Sequence, residues 1–310
     1  MFKKFIKFIF SYLKIYIKKI RFSNYLEVSF FFYKTKEKKE LISSFNIFDR
    51  KVYFQVNDSK GNFAHLGQED LSRIAFIKSH LKDIKNNIDV YDLGSNYGTY
   101  SIVIDNCDNF ILVEPNPFCC FCLEKTFKDK NFKIIQKSLG VSLCDTNLTI
   151  MPRASGGSSL KQNFVSNEKH HEKFILKTET ISINELLDFK NTENSQFFMK
   201  LDIEGMDIEV IESFSQDKWL SNYDKGKIML EIHKGQDLDI LVRKFGDRKC
   251  ISMDNINFKG EISSKKYLKN SRPEEVYDIE NLTVKDQCQK YKNDSSFKYG
   301  DLLITLEEKL

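Results

Sequence analysis

Val90-Tyr91-Asp92-Leu93-Gly94-Ser95-Asn96-Tyr97-Gly98-Thr99, followed by Phe110-Ile111-Leu112-Val113-Glu114-Pro115-Asn116-Pro117, decides how the rest of this chain is read. An apolar run ends in a carboxylate, a glycine-rich turn is predicted to open a helix, and a second apolar run ends in another acid. This is the sequence form of an opening βαβ unit in a doubly wound α/β sheet, where ligands bind beyond the carboxyl ends of the strands. Gly94 lets the backbone approach a ligand with no Cβ in the way. Glu114 closes the second strand, where an acid takes the two hydroxyls of a ribose. Together these features predict a cofactor that contains adenosine.

The turn selects among such cofactors. A dinucleotide fingerprint, G-x-G-x-x-G, offers a pyrophosphate a helix N-terminus stripped of side chains. The pattern here is D-x-G-x-x-x-G, from Asp92 to Gly98. A carboxylate two residues before the first glycine would repel a pyrophosphate, but it suits the cationic amino acid end of S-adenosylmethionine. The predicted cofactor contacts are therefore Asp92, Gly94, Ser95, Asn96 and Gly98 in the turn, with Glu114, Pro115 and Asn116 after the second strand.

Five blocks carry a family resemblance. They are Asp92 to Gly98, Val113 to Pro117, Lys200-Leu201-Asp202-Ile203-Glu204-Gly205, Gly156-Gly157-Ser158-Ser159-Leu160, and Lys177-Thr178-Glu179-Thr180-Ile181 ahead of Glu185-Leu186-Leu187. By these five blocks, taken in their order along the chain, it resembles the FkbM-type S-adenosylmethionine-dependent methyltransferases, over roughly residues 85 to 235. The resemblance implies a Rossmann-like class I methyltransferase sheet with helices on both faces. It also implies methyl transfer to oxygen, commonly on sugars, glycolipids or polyketide-type metabolites. The family's adenine contacts fall at the end of the third strand, which adds Ser138 to the cofactor set. This chain departs from the family there, with Lys137-Ser138-Leu139 where small residues are usual.

The chain has 310 residues, 41% hydrophobic and 30% charged, enough for one large domain or one domain with an extension. The expected organisation is an amphipathic basic helix over 1–24, an extension over 25–87 and the methyltransferase domain over 88–310, with insertions near 147–181 and 259–298. A net charge of +4 gives no ground for nucleic-acid binding. The 7 cysteines make no even disulfide framework, and Cys119, Cys120 and Cys122 lack the spacing of a zinc knuckle, so they are read as buried thiols packing a helix. In residues 2 to 20, Phe2, Phe5, Ile6, Ile9, Leu13, Tyr16, Ile17 and Ile20 share one helical face, with Lys3, Lys7, Lys14 and Lys18 opposite. The lysines rule out a spanning helix, and the segment lacks the apolar core and cleavage site of a secretory signal. Two readings stay open: a helix packed on the domain or a partner, and an interfacial helix on an anionic membrane.

Strands are predicted near 88–93, 110–114, 132–136, 196–202 and 226–232, a helix over 68–82, and an inserted β pair near 147–151 and 174–181. Pieces near 249–253 and 301–306 would complete the sheet. The fourth and fifth strands end in Asp202-Ile203-Glu204 and Glu231-Ile232-His233, which should share one crevice. His233 is the natural general base, and Asp202 serves as base or as orienter of the acceptor hydroxyl, with Glu204 beside it. Asp202, Glu204 and Glu231 also form a candidate Mg²⁺ set of hard oxygen ligands. Alternation sends Lys200 away from Asp202, and His170-His171 reads as a surface pair. The expected function is O-methylation of a sugar hydroxyl in a glycan, glycolipid or nucleotide-linked precursor, by a cytoplasmic enzyme with peripheral contact to the inner face of the membrane. The competing readings are a binding protein on a degenerate fold and an NAD-linked sugar oxidoreductase.

Overall fold

The computed structural model describes residues 42–56, 58, 71–82, 88–151, 154–161, 173–191, 193–253, 257–258, 277–278 and 280–307. The expected helix over 1–24 and the pair His170-His171 lie outside the described residues. The first half of the chain gives β1 (Ile42–Ile47), β2 (Arg50–Gln55), α1 (Leu71–Lys82), β3 (Ile88–Leu93), β4 (Cys107–Val113), α2 (Pro117–Thr126), β5 (Phe132–Ile135), β6 (Ser138–Gly140) and β7 (Asp145–Ile150). The second half adds β8 (Phe174–Ser182), β9 (Gln196–Leu201), α3 (Asp207–Ser213), α4 (Gln216–Leu220), β10 (Lys225–His233), α5 (Leu238–Phe245) and β11 (Lys249–Ser252). A short pair, β12 (Asn257–Phe258) and β13 (Tyr277–Asp278), precedes β14 (Asn281–Thr283), α6 (Val284–Asn293) and β15 (Tyr299–Glu307).

Eight strands form the main sheet in the order β14-β11-β15-β10-β9-β3-β4-β5. The five from β10 to β5 run parallel, and β15 lies antiparallel between β10 and β11. Strands β3 and β9 are almost wholly buried because both faces of the sheet are covered, and Asp89, Asp92 and Lys200 are the charged residues within them. Tyr91, Phe197 and Leu230 face a core with Trp219, Leu241 and Phe245. Val90, Phe110 and Phe198 face the opposite core, filled by Ile74, Phe76 and Ile77 of α1 and by Val52 and Phe54 of the β1–β2 hairpin. The Tyr53 N–H donates to Thr126 Oγ1 at 3.0 Å, so part of the expected extension is built onto α2. The chain leaves β3 towards β4 on one side, while β9 lies on the other; this switch point opens a crevice at the carboxyl ends.

Three expectations are corrected. Residues 94–103 form successive turns rather than the helix that the glycine pattern predicts, with one helical bond, Ile102 N–H to Gly98 O at 3.0 Å. Thr99, Ile102, Val103 and Ile104 are β-branched and lose side-chain freedom in a helix, and β4 begins only a few residues later. The inserted β pair is a three-stranded sheet, β6-β8-β7, because β6 pairs in parallel with β8. Residues 281–293, expected within a polar insertion, supply the edge strand β14 and helix α6, whose Val284, Cys288 and Tyr291 are buried. All 7 cysteines are free thiols, with Cys119, Cys120 and Cys122 buried along α2. Among the described residues no helix is long and apolar enough to cross a membrane.

Candidate active site

A cleft of about 830 Å³, mouth included, opens at the carboxyl ends of β3, β4 and β9. Asp92, Gly94, Ser95, Asn96, Glu114, Pro115, Ser138, Lys200, Asp202 and Glu204 all line it. One wall comes from the segment between β7 and β8, through Ser155, Gly156, Ser158 and Leu160. Gly94 is required twice over: its φ is +77°, and a Cβ there would stand 1.9 Å from the Asp202 carbonyl oxygen. Gly98 does not line the cleft, and its φ of +73° and a clash of 2.5 Å with the Phe127 ring mark it as a packing glycine. Asn116 also stands behind the site, where its Oδ1 caps α2 by accepting from the Phe118 N–H at 3.1 Å.

Glu114 is 7% exposed, and both of its oxygens are tied. Oε2 accepts from the Asn96 N–H and Oε1 from the Asn116 N–H, each at 2.8 Å. Burial pushes this carboxyl up to about 7, against the downward pull of the two amides. Asn96 adopts the left-handed region, φ 49°, which asparagine tolerates. Asp92 is buried; its Oδ2 accepts from Ser101 Oγ at 2.6 Å, and its Oδ1 lies 3.7 Å from Lys200 Nζ with no hydrogen bond. Burial raises its pKa, offset by Lys200 and Ser101. Asn96 Oδ1 and Ser138 Oγ are likewise buried without a hydrogen bond, and all three residues line the same cleft. Buried polar atoms are almost always satisfied, so three orphans around one cleft fit a polar ligand that completes them. S-adenosylmethionine offers such groups, with an ammonium for Asp92 and adenosine heteroatoms for the others.

On the facing side, β9 ends at Leu201. Strand alternation therefore stops before Asp202, and Lys200 meets it after all: Nζ is 3.0 Å from Asp202 Oδ2 and donates to Gly94 O at 3.1 Å. The following turn carries Glu204 at φ 55°. Asp207 fixes that turn by accepting from the N–H groups of Ile203, at 2.9 Å, and Gly205, at 3.0 Å. Burial, then the charges of Asp202 and Glu231, push the Asp207 carboxyl up to about 7. His233 is turned to Glu231, Nε2 to Oε2 2.8 Å. Burial alone would lower the imidazole, but the hydrogen bond and charge of Glu231, with Asp207 and Glu204, hold it up to about 9. His233 and Glu231 stand beside the cleft, while Asp202 and Glu204 line it. The predicted metal set changes accordingly: ligand atoms of Glu204, Glu231 and His233 lie within 4.8 Å of one another, and Asp202 is held by Lys200.

Sequence reasoning missed Asp58. It is fully buried and accepts from the Tyr97 hydroxyl and, at 3.3 Å, from the Ser155 N–H. Ser155 Oγ in turn accepts from Asn96 Nδ2 at 2.8 Å. In Asn57-Asp58-Ser59-Lys60-Gly61 the acid reads as a turn former, and nothing local marks it as a buried anchor. Ser159 Oγ donates to Glu204 O at 2.7 Å, which ties the Gly156 to Leu160 block to the Glu204 turn.

No curated relative matches the chain. Among solved structures it is similar to precorrin-6y C5,15-methyltransferase from Geobacter metallireducens, at 14% identity and TM-score 0.34 over 77% of this chain and 88% of that one. A possible histamine N-methyltransferase from Thermotoga maritima is similar at 9% identity and TM-score 0.31, over 76% of this chain and 90% of that one. The plantazolicin methyltransferase BpumL, solved with S-adenosylhomocysteine, is similar at 10% identity and TM-score 0.31, over 77% and 86% of the two chains. The methyltransferase FkbM domain matches residues 88–249, just over half of the chain and the whole of the parallel sheet. The chain belongs to the FkbM family of S-adenosylmethionine-dependent methyltransferases.

Proposed function

We propose that this chain is an O-methyltransferase acting on a sugar hydroxyl, in a glycan, a glycolipid or a nucleotide-linked precursor. The observation that carries the reading is that two further carboxylates, Asp202 and Glu204, line the same cleft as Asp92 and Glu114. Ionised carboxylates accept hydrogen bonds and donate none, so two of them in one cleft suit the hydroxyls of a sugar. S-adenosylmethionine, when bound, supplies an electrophilic methyl group on a sulfonium. Asp92 holds its ammonium and Glu114 its ribose, and the Gly94 backbone leaves room between them. Asp202 takes the proton of the attacking hydroxyl, because it lines the cleft where His233 does not, and Lys200 orients it from 3.0 Å.

Calorimetric titration should show binding of S-adenosylhomocysteine and none of NAD; the reverse would overturn the cofactor assignment. Asp202→Asn should cut turnover by about 10²–10⁴-fold on a competent sugar acceptor, with cofactor affinity little changed. Unchanged turnover would remove Asp202 as the base. Residues 1–20, whose lysine face is worth roughly 1 kcal/mol per residue near an anionic surface, support reversible attachment to the inner face of the membrane. Deleting them should abolish binding to anionic liposomes at low salt while S-adenosylhomocysteine still binds. Liposome binding that survives the deletion would refute the attachment.

A further inference from the structure

The carboxyl ends of β9 and β10 hold a second chemical centre beside the cofactor cleft. We infer that Glu204, Glu231 and His233 form a binding site for one first-row divalent cation, of the Mn²⁺ or Zn²⁺ kind, that holds the acceptor oxygen. The inference rests on the methyltransferase reading for its role, and on geometry alone for its existence.

One ligand atom from each residue lies within 4.8 Å of the other two. Bonds of about 2.0–2.2 Å to a common ion are reached from there by small side-chain rotations. His233 Nε2 and Glu231 Oε2 already stand 2.8 Å apart, so a cation takes the place of the proton they share. Lys200 is committed to Asp202 and the Gly94 carbonyl.

The support of the ligands is also built in. Asp207, fully buried, spends both oxygens on the amides of Ile203 and Gly205, which hold the turn carrying Glu204. Gln236 Oε1 accepts from the His233 N–H at 2.7 Å and fixes the end of β10. A set of two carboxylates and one imidazole is softer than the all-oxygen set that Mg²⁺ prefers, which favours a transition ion. Since Glu204 also lines the cleft, the ion would stand where the acceptor hydroxyl enters and would ease loss of its proton to Asp202.

The test uses the full chain, stripped of metal by a chelator and dialysed. Mn²⁺ is then titrated, with the free-ion electron paramagnetic resonance signal as readout and Mg²⁺ as competitor. One Mn²⁺ per chain is expected, displaced only by at least about tenfold more Mg²⁺. Glu231→Gln and His233→Ala should each weaken Mn²⁺ binding by about 10–100-fold. S-adenosylhomocysteine binding by calorimetry should stay intact in both, which reports that each variant is folded. Absence of saturable Mn²⁺ binding, or wild-type Mn²⁺ affinity in both folded variants, overturns the site. If either variant fails to fold, His233→Gln, at a residue outside the cleft lining, decides in its place by the same two readouts. Loss of S-adenosylhomocysteine binding in the wild type, with Mn²⁺ still bound, would instead overturn the cofactor reading and leave the cation site standing.

Discussion

Glu114 is held as a scaffold residue, and the proposed function makes it a ligand as well. Its two oxygens each take a backbone amide, which orients the carboxylate and leaves further lone pairs for a ribose. Losing such charge-assisted contacts costs roughly 1.5–3 kcal/mol, so Glu114→Ala should weaken S-adenosylhomocysteine about ten- to hundredfold in calorimetry. The same residue predicts a pH dependence. Its carboxyl sits at about 7 in the fold, above its ordinary value, so it gains a proton as pH falls through neutrality. The acceptor is then lost, and affinity should drop by up to about tenfold per pH unit below 7. Glu114→Gln carries no such proton and should bind weakly but with a flat profile over pH 5.5–8. A wild-type profile equally flat would show that the carboxylate takes no part in binding.

At the scale of elements, the β1–β2 hairpin and the segment between β7 and β8 are not ornaments on the sheet. Asp58 follows the hairpin, and its bonds to Tyr97 and Ser155 reach Asn96, whose amide orients Glu114. Asp58→Ala leaves a buried hydroxyl and a buried amide without an acceptor, a loss of about 1–3 kcal/mol in stability. Melting temperature should fall, and S-adenosylhomocysteine affinity should weaken several-fold because Asn96 is no longer held. A variant that melts early but binds as before would confine Asp58 to a structural role. This connection could not be read in advance. Strands β3 and β9 announce themselves by the apolar residues that a run buried on both faces requires, and the acids near their ends follow from the switch point of the sheet. Asp58 depends on how distant segments meet, and so does the grouping of His233 with Glu204 in place of Asp202. Helix α6 was legible but passed over: Thr283 and Asp286 make an N-terminal cap, the Asp286 N–H donating to Thr283 Oγ1 at 3.1 Å. Its polar face hid the spacing of Val284, Cys288 and Tyr291.

At the scale of the whole molecule, the eight-stranded sheet carries one core on each face among the described residues, and the order of its strands has a consequence in time. β15 pairs with β10 along its full length, Tyr299 to Glu307, and with β11 on its other side. Both neighbours are synthesised before it, and α6 is synthesised between β11 and β15. For several seconds of synthesis, at ~5–20 residues per second, β10 presents an open edge that β11 does not pair with and β15 closes. Such an edge is a template for pairing with other chains. Removing residues 299–307 should therefore give a product that precipitates or binds hydrophobic dye, although every residue lining the cofactor cleft is present. A soluble, cooperatively melting truncation would refute this. The nascent chain thus resembles a zip whose slider arrives after both rows of teeth, and holdase chaperones should engage it after β10 emerges and release it once β15 has slotted in.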